Sequence, residues 1–265
     1  MAHTDNMFLR YEYNVRKQLK VGKNELIVKF QSPINKLHEF VANRPYVLPA
    51  PNEPVDVKVS PYVRKAPYQF GWDWGPRMVT SGIWRPVYLK FYDQPIIRDV
   101  QIHQKQLDST LAVIDVEVDV LIPNKGDYEL QVGAIKIPIK NLQGEQKIRQ
   151  EIRIVNPKLW WPYEWGTPHL YNLEVRIFEK ATIVDQKQKR FGLRTIELVQ
   201  EPDELGETFY FKVNGQKFFM RGANYIPQSN FLPSVTDEEY RKLIEDTKAV
   251  NINTIRVWGG GIYEN

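Results

Sequence analysis

Seven consecutive residues, Phe70, Gly71, Trp72, Asp73, Trp74, Gly75 and Pro76, place a carboxylate between two indoles in a stretch that must turn. An ionised carboxylate among apolar rings is costly unless donors reach it, and Gly and Pro disrupt helices and central strands. The combination suits a loop that presents side chains to a ligand. A sugar fits such a loop, because its C–H face stacks on an indole while its hydroxyls donate to a carboxylate. The competing arrangement is a turn whose Trp rings cover a sheet edge and whose Asp caps backbone N–H groups. Of the two, the ligand reading is preferred.

Near the other end, Gly259, Gly260 and Gly261 form a glycine run directly after Asn253–Trp258. As a phosphate cradle it lacks both the G-x-G-x-x-G spacing and a G-K-[S/T] ending. His3, His38, His103 and His169 are scattered and point to no metal site. The chain has no Cys, which excludes disulfides, thiolate metal sites and a Cys nucleophile.

Composition bounds the fold that carries these residues. A chain of 265 residues with 42% hydrophobic and 26% charged residues reads as soluble and globular, and its length alone corresponds to about two domains. No apolar run approaches the roughly 18 residues of a membrane span. No apolar stretch follows Met1-Ala2-His3, so no signal peptide is visible. The 36 basic and 32 acidic residues are interspersed, which argues against nucleic acid as the main partner.

The elements that position the first stretch read mainly as strand. Met7–Val15 and Glu25–Phe30 alternate apolar and polar residues around a turn at Val21-Gly22-Lys23-Asn24, and Ile34–Val41 reads as a short helix. Six prolines between Arg44 and Pro67 predict a long surface loop leading into the Trp-Asp-Trp stretch, and Ile83–Tyr92 reads as an edge strand. After a boundary at Asp93-Gln94-Pro95, the segments Ile97–His103, Leu111–Leu121, Tyr128–Ile139, Lys147–Val155, Leu170–Phe178 and Lys189–Val199 recur as in an all-β sandwich. Within it, Leu159–Gly166 is a second aromatic cluster, read as a rigid corner packing one sheet against its neighbour domain rather than as a ligand site.

Near residue 200 the pattern changes. Asn214-Gly215 between apolar runs predicts a hairpin, Ser234–Glu239 offers helix caps, and Tyr240, Leu243, Ile244, Thr247 and Val250 repeat at helical spacing. A strand at Asn253–Trp258 follows, completing a strand–helix–strand unit of a parallel sheet. The glycines after it lie at the strand's C-terminal end, where barrel folds place their chemistry.

These motifs in this order resemble glycoside hydrolase family 2. The resemblance rests on Asn6-Met7-Phe8, the Gly-Trp-Asp-Trp-Gly loop, Trp160-Trp161-Pro162 with Leu170-Tyr171, and Phe191-Gly192-Leu193-Arg194-Thr195. It extends through Asn214-Gly215, Arg221-Gly222-Ala223-Asn224 and Arg256–Gly261. The Trp-Asp-Trp loop and the Arg-Val-Trp-Gly-Gly-Gly-Ile-Tyr-Glu ending resemble the β-mannosidases rather than the β-galactosidases or β-glucuronidases.

The resemblance implies a mainly β architecture. Residues 1–95 would be the later part of a jelly-roll sugar-binding domain, 96–200 an immunoglobulin-like sandwich, and 201–265 the first two strands and first helix of a (β/α)₈ barrel. It assigns Trp72 and Asp73 to the non-reducing sugar, Trp258 to the wall of the same subsite, and Arg256 to a place beside the nucleophile. Asn224, after the first barrel strand, is a further substrate-binding candidate. It implies no cofactor and no metal. The expected partner is a β-mannoside or mannose-containing oligosaccharide, with no membrane and no nucleic acid.

Retaining glycosidases use two carboxyl groups about 5–5.5 Å apart. In the family both are glutamates on later barrel strands, so no catalytic residue is expected in this chain, and the chain alone is expected to be inactive. Asp73 lacks a partner carboxylate, and Glu264 reads as a helix-start or supporting residue. Another family 2 β-glycosidase, a noncatalytic carbohydrate-binding remnant, and a purely structural protein are the alternatives. An unclosed barrel sheet predicts that residues after about 205 are the least stable.

Overall fold

The computed structural model describes residues 2–263 and divides into two compact units, Met1–Val87 with Gly222–Asn265, and Tyr88–Arg221. The protein is mainly β. In the second unit, β1 (Ile96–Leu107), β2 (Leu111–Val132), β3 (Ile135–Val155), β4 (Tyr171–Glu179) and β5 (Thr182–Phe191) form one antiparallel sheet in the order β1-β2-β4-β5, with β3 also on β2. Alternation along β2 turns Ala112, Ile114, Val116, Val118, Val120 and Ile122 inward. With Leu130, Val132, Val175, Ile177 and Leu193 they make the core.

The sequence reads residues 111–121 and 128–139 as separate strands, whereas β2 runs on to Val132. Register shifts against β3 between Ile122 and Asp127 mark an irregularity that lets the strand continue. Its first half pairs with β1 and its end with β4. β5 lies across residues not set apart in sequence, because Asp185–Arg190 are polar on both faces. Beyond it β6 (Ile196–Val199), β7 (Tyr210–Val213) and β8 (Gln216–Phe218) form a small sheet closed by the expected hairpin, with Asn214 at φ 49°. The Leu159–Gly166 cluster packs inside this unit. The Arg194 guanidinium lies 4.9 Å from the Trp160 ring centre, and Trp165 meets Phe218 at 5.2 Å.

The first unit holds α1 (Pro33–Ala42, capped by Ser32), short 3-10 turns at Ser60–Tyr62 and Pro67–Phe70, and a strand–helix–strand unit. That unit comprises β9 (Gly222–Tyr225), α2 (Asp237–Ala249) and β10 (Thr254–Val257), with β10 parallel to β9. α2 starts at a full capping box in which Thr236 and Glu239 exchange bonds. The Thr236 backbone and hydroxyl hold the Glu239 carboxyl below its ordinary range.

Three expected strands do not form, two in this unit and one that runs from it into the second. Residues 7–15, 25–30 and 83–92 lie outside any ladder, with Leu9, Ile27 and Phe91 largely exposed. Their alternation is that of strands, but a strand needs a continuous hydrogen-bonded partner, and the single bond from Met7 N to Arg64 O does not extend into a ladder. The Asn24 side chain does close the expected turn, bonding both Lys20 N and Lys20 O. The proline-rich stretch is less superficial than expected, since Glu53, Val59 and Ala66 are buried.

Candidate sugar-binding site

The Trp-Asp-Trp turn is fixed before any side chain is considered. Gly71 enters it at φ 109°, a conformation that side chains rarely adopt, and a Cβ there would lie 2.9 Å from Asn52 O. Trp72 N donates to Gly75 O at 3.0 Å, and Gly75 N donates back to Trp72 O at 3.2 Å. This reciprocal pair closes a tight turn with Asp73 exposed at its tip and Trp72 and Trp74 half-buried. Among the described residues Asp73 makes no ion pair and no side-chain hydrogen bond, which leaves its oxygens open to accept from a ligand.

The two indoles converge on a third. Trp72 meets Trp258 at 4.8 Å between ring centres and 68° between planes, and Trp74 meets Trp258 at 5.8 Å and 84°. Tyr68 lies 5.4 Å from Trp74, its ring tilted 31° to the indole. Edge-to-face packing sets the edge of one ring against the face of another, so these rings form one interlocked wall rather than independent platforms. The wall rests on buried Ala66, Tyr68, Leu232 and Ile262. Burial also holds the nearby Lys65 ammonium below the usual lysine range.

β10 delivers Trp258. The ladder to β9 extends one bond past the strand, from Trp258 N to Tyr225 O at 2.9 Å. Gly260 then passes close beneath the indole, where an added Cβ would stand 2.2 Å from the ring. Register pairs Arg256 with Asn224, and Arg256 Nη1 donates to Asn224 Oδ1 at 3.0 Å. Asn224 therefore lies on the first parallel strand itself, not after it as expected. An arginine with one nitrogen so engaged keeps further N–H groups for an anion or a sugar oxygen.

The structure thus brings Trp72 against Trp258 and Arg256 against Asn224, while Asp73 stands free at the turn tip. Glu264 lies outside the described residues. Residues that sequence reasoning missed hold the turn from both sides. Asn230 Nδ2 donates to Pro76 O at 3.1 Å, and Arg77 Nη2 lies 3.7 Å from the buried Glu53 carboxylate. The 154 positions separating Asn230 from Pro76 explain why no local signal marks the contact.

The class of protein follows from this fold and these motifs. Residues 1–85 match the family description "Glycosyl hydrolase 2 galactose-binding domain-like", and residues 96–194 match "Glycosyl hydrolases family 2". The chain belongs to glycoside hydrolase family 2.

Within that family it is similar to β-mannosidases. It is 34% identical to Beta-mannosidase B of Aspergillus oryzae and 35% identical to that of Aspergillus clavatus, in each case over 100% of this chain and 32% of the relative. The crystal structure of the β-D-mannosidase of Dictyoglomus thermophilum superposes with a TM-score of 0.87 at 38% identity, over 99% of this chain and 33% of that one. The β-glucuronidase of Bacteroides uniformis shares the fold at 21% identity and TM-score 0.55, covering 64% of this chain and 22% of that one. The chain spans about a third of the length of the curated relatives it matches.

Proposed function

We propose that this chain carries part of the terminal-sugar subsite of a retaining exo-β-mannosidase, whose complete form removes non-reducing β-D-mannose from β-mannosides. Residues 1–95 are read as the later part of a sugar-binding jelly roll, 96–200 as an immunoglobulin-like sandwich, and 201–265 as the opening of a catalytic barrel. The observation that carries this reading is the 4.8 Å contact of Trp72 with Trp258. It supports a single aromatic wall built from the Trp-Asp-Trp turn and the C-terminal end of β10, the end where barrel enzymes hold their chemistry.

In this reading Asp73 accepts from a mannose hydroxyl, while Trp72 and Trp258 bound the sugar's apolar face. Asn224 holds Arg256, and the guanidinium keeps the nucleophilic glutamate ionised by its fixed positive charge. The two glutamates themselves are assigned to later barrel strands, so the step that breaks the glycosidic bond requires residues outside this chain. The similarity to named β-mannosidases favours mannosides over galactosides or glucuronides.

The test is hydrolysis of a panel of aryl β-glycosides. The 265-residue chain should release no aglycone from any of them. The same chain joined to a complete barrel should turn over the β-mannoside in preference to the β-galactoside and β-glucuronide. Preference for either of the latter would move the assignment to another family 2 β-glycosidase. Mannoside binding without turnover in the joined protein would leave a carbohydrate-binding role.

A further inference from the structure

Among the described residues Glu53 is the most deeply buried carboxylate of the first unit, and it is not among the groups assigned to the sugar. It is 3% exposed, and its Oε2 accepts from Ser60 N at 3.0 Å. Its Oε1 lies 3.7 Å from Arg77 Nη2. Burying an ion pair costs desolvation of both partners, so such a pair is a poor source of stability and a good means of fixing one arrangement against others.

What it fixes is visible in the chain around it. Residues 52–54 close on the entry of the Trp-Asp-Trp turn: Asn52 O and Pro54 Cδ would stand 2.9 and 3.0 Å from a Cβ on Gly71. Glu53, between them, reaches Arg77 on the exit side. One short piece of the proline-rich stretch therefore holds both feet of the turn, by close packing at Gly71 and by charge at Arg77. Asn230 completes the grip through its bond to Pro76 O.

We propose that Glu53 and Arg77 are positioning residues for Asp73: their buried ion pair sets the Trp72–Gly75 turn in the one orientation that presents the Asp73 carboxylate to the sugar. This rests on the assignment of Asp73 to the sugar made above, and it adds a role to residues that touch no substrate. Loss of the pair leaves the exit of the turn held by the backbone bond from Met78 N to Gln69 O and by Asn230, with more freedom to pivot about Gly71, and Asp73 loses its aim although its own chemistry is untouched.

Two measurements test this. In the 265-residue chain, Glu53→Gln should speed amide exchange at Trp72 and Gly75, whose N–H groups close the turn, by about tenfold, while the amides of β2 and β4 keep their rates. Arg77→Gln approaches the pair from its more exposed side, 26% against 1% for the Glu53 side chain, and should do the same; it serves if Glu53→Gln does not fold. In the chain joined to its barrel, Glu53→Gln should lower kcat/KM for an aryl β-mannoside about tenfold, but by about twofold or less once Asp73 is already Asn. Arg77→Lys, which keeps the charge, should recover most of the activity lost in Arg77→Gln.

Unchanged exchange at Trp72 and Gly75 overturns the inference. So does a full loss from Glu53→Gln in the Asp73→Asn background, provided Asp73→Asn alone lowers kcat/KM. If Asp73→Asn alone is silent, the sugar assignment itself fails and the inference falls with it.

Discussion

The indoles of Trp72 and Trp258 meet at 4.8 Å and 68°, joining a turn in the first hundred residues to a strand near the other end of the chain. Aromatic pairs of this geometry are worth about 0.5–1.5 kcal/mol beyond the area they bury. Unfolding of the first unit by urea in Trp72→Ala, Trp258→Ala and the double variant should show a coupling energy in that range. Strictly additive losses would mean that the rings are neighbours without being partners.

Gly260→Ala should disturb the same wall from below. Its Cβ would stand 2.2 Å from the Trp258 ring, and a stiff indole cannot yield that distance without shifting. Overpacking of this kind costs about 1–3 kcal/mol. The near-ultraviolet circular dichroism of the coupled indoles should weaken in parallel. A variant with unchanged stability and spectrum would show that Trp258 has room to move.

Much of this arrangement is legible locally. The Thr236–Glu239 capping box, the hairpin at Asn214 and the turn entered at Gly71 each depend on residues within a few positions of one another. The Trp-Asp-Trp turn stands out from its residue types alone, whereas Trp258 and Arg256 become candidates only through the resemblance to family 2. What escaped is non-local. The irregularity between Ile122 and Asp127 reflects β2 changing partners from β1 to β4, which no alternation in β2 announces. The strands expected at 7–15, 25–30 and 83–92 have the right pattern, yet a pattern specifies a face, not a partner. Glu53, Arg77 and Asn230 look like ordinary surface residues until the fold closes around the turn.

Protection against hydrogen exchange should be uneven. α2 contributes no buried side chain, and β9 and β10 pair only with each other among the described residues, whereas β2 runs through the middle of a five-stranded sheet. Amides of α2, β9 and β10 should therefore exchange markedly faster than those of Val116, Val118 and Leu130. Equal protection would contradict the account of where this chain's stability lies.

Acid should weaken the second unit through Glu117. Hydrogen bonds from Lys147 and Arg149, at 2.7 Å each, hold its carboxyl below the ordinary glutamate value of 4.5. A folded-state value below the unfolded one adds stability that is present above the ordinary value and is lost as pH falls through the folded one. Melting curves of the wild type and Glu117→Gln should thus differ most near neutrality and converge in acid. A difference that grows as pH falls would have the wrong sign.

The most direct test of the sugar-site assignment is the steady-state kinetics of Asp73→Asn in the chain joined to its barrel, on an aryl β-mannoside. Removing the charge from a carboxylate that accepts from a sugar hydroxyl should lower kcat/KM by about 10- to 100-fold, with the melting temperature unchanged because Asp73 is exposed and its side chain makes no bond among the described residues. An unchanged kcat/KM would contradict the assignment of the Trp-Asp-Trp turn to the sugar.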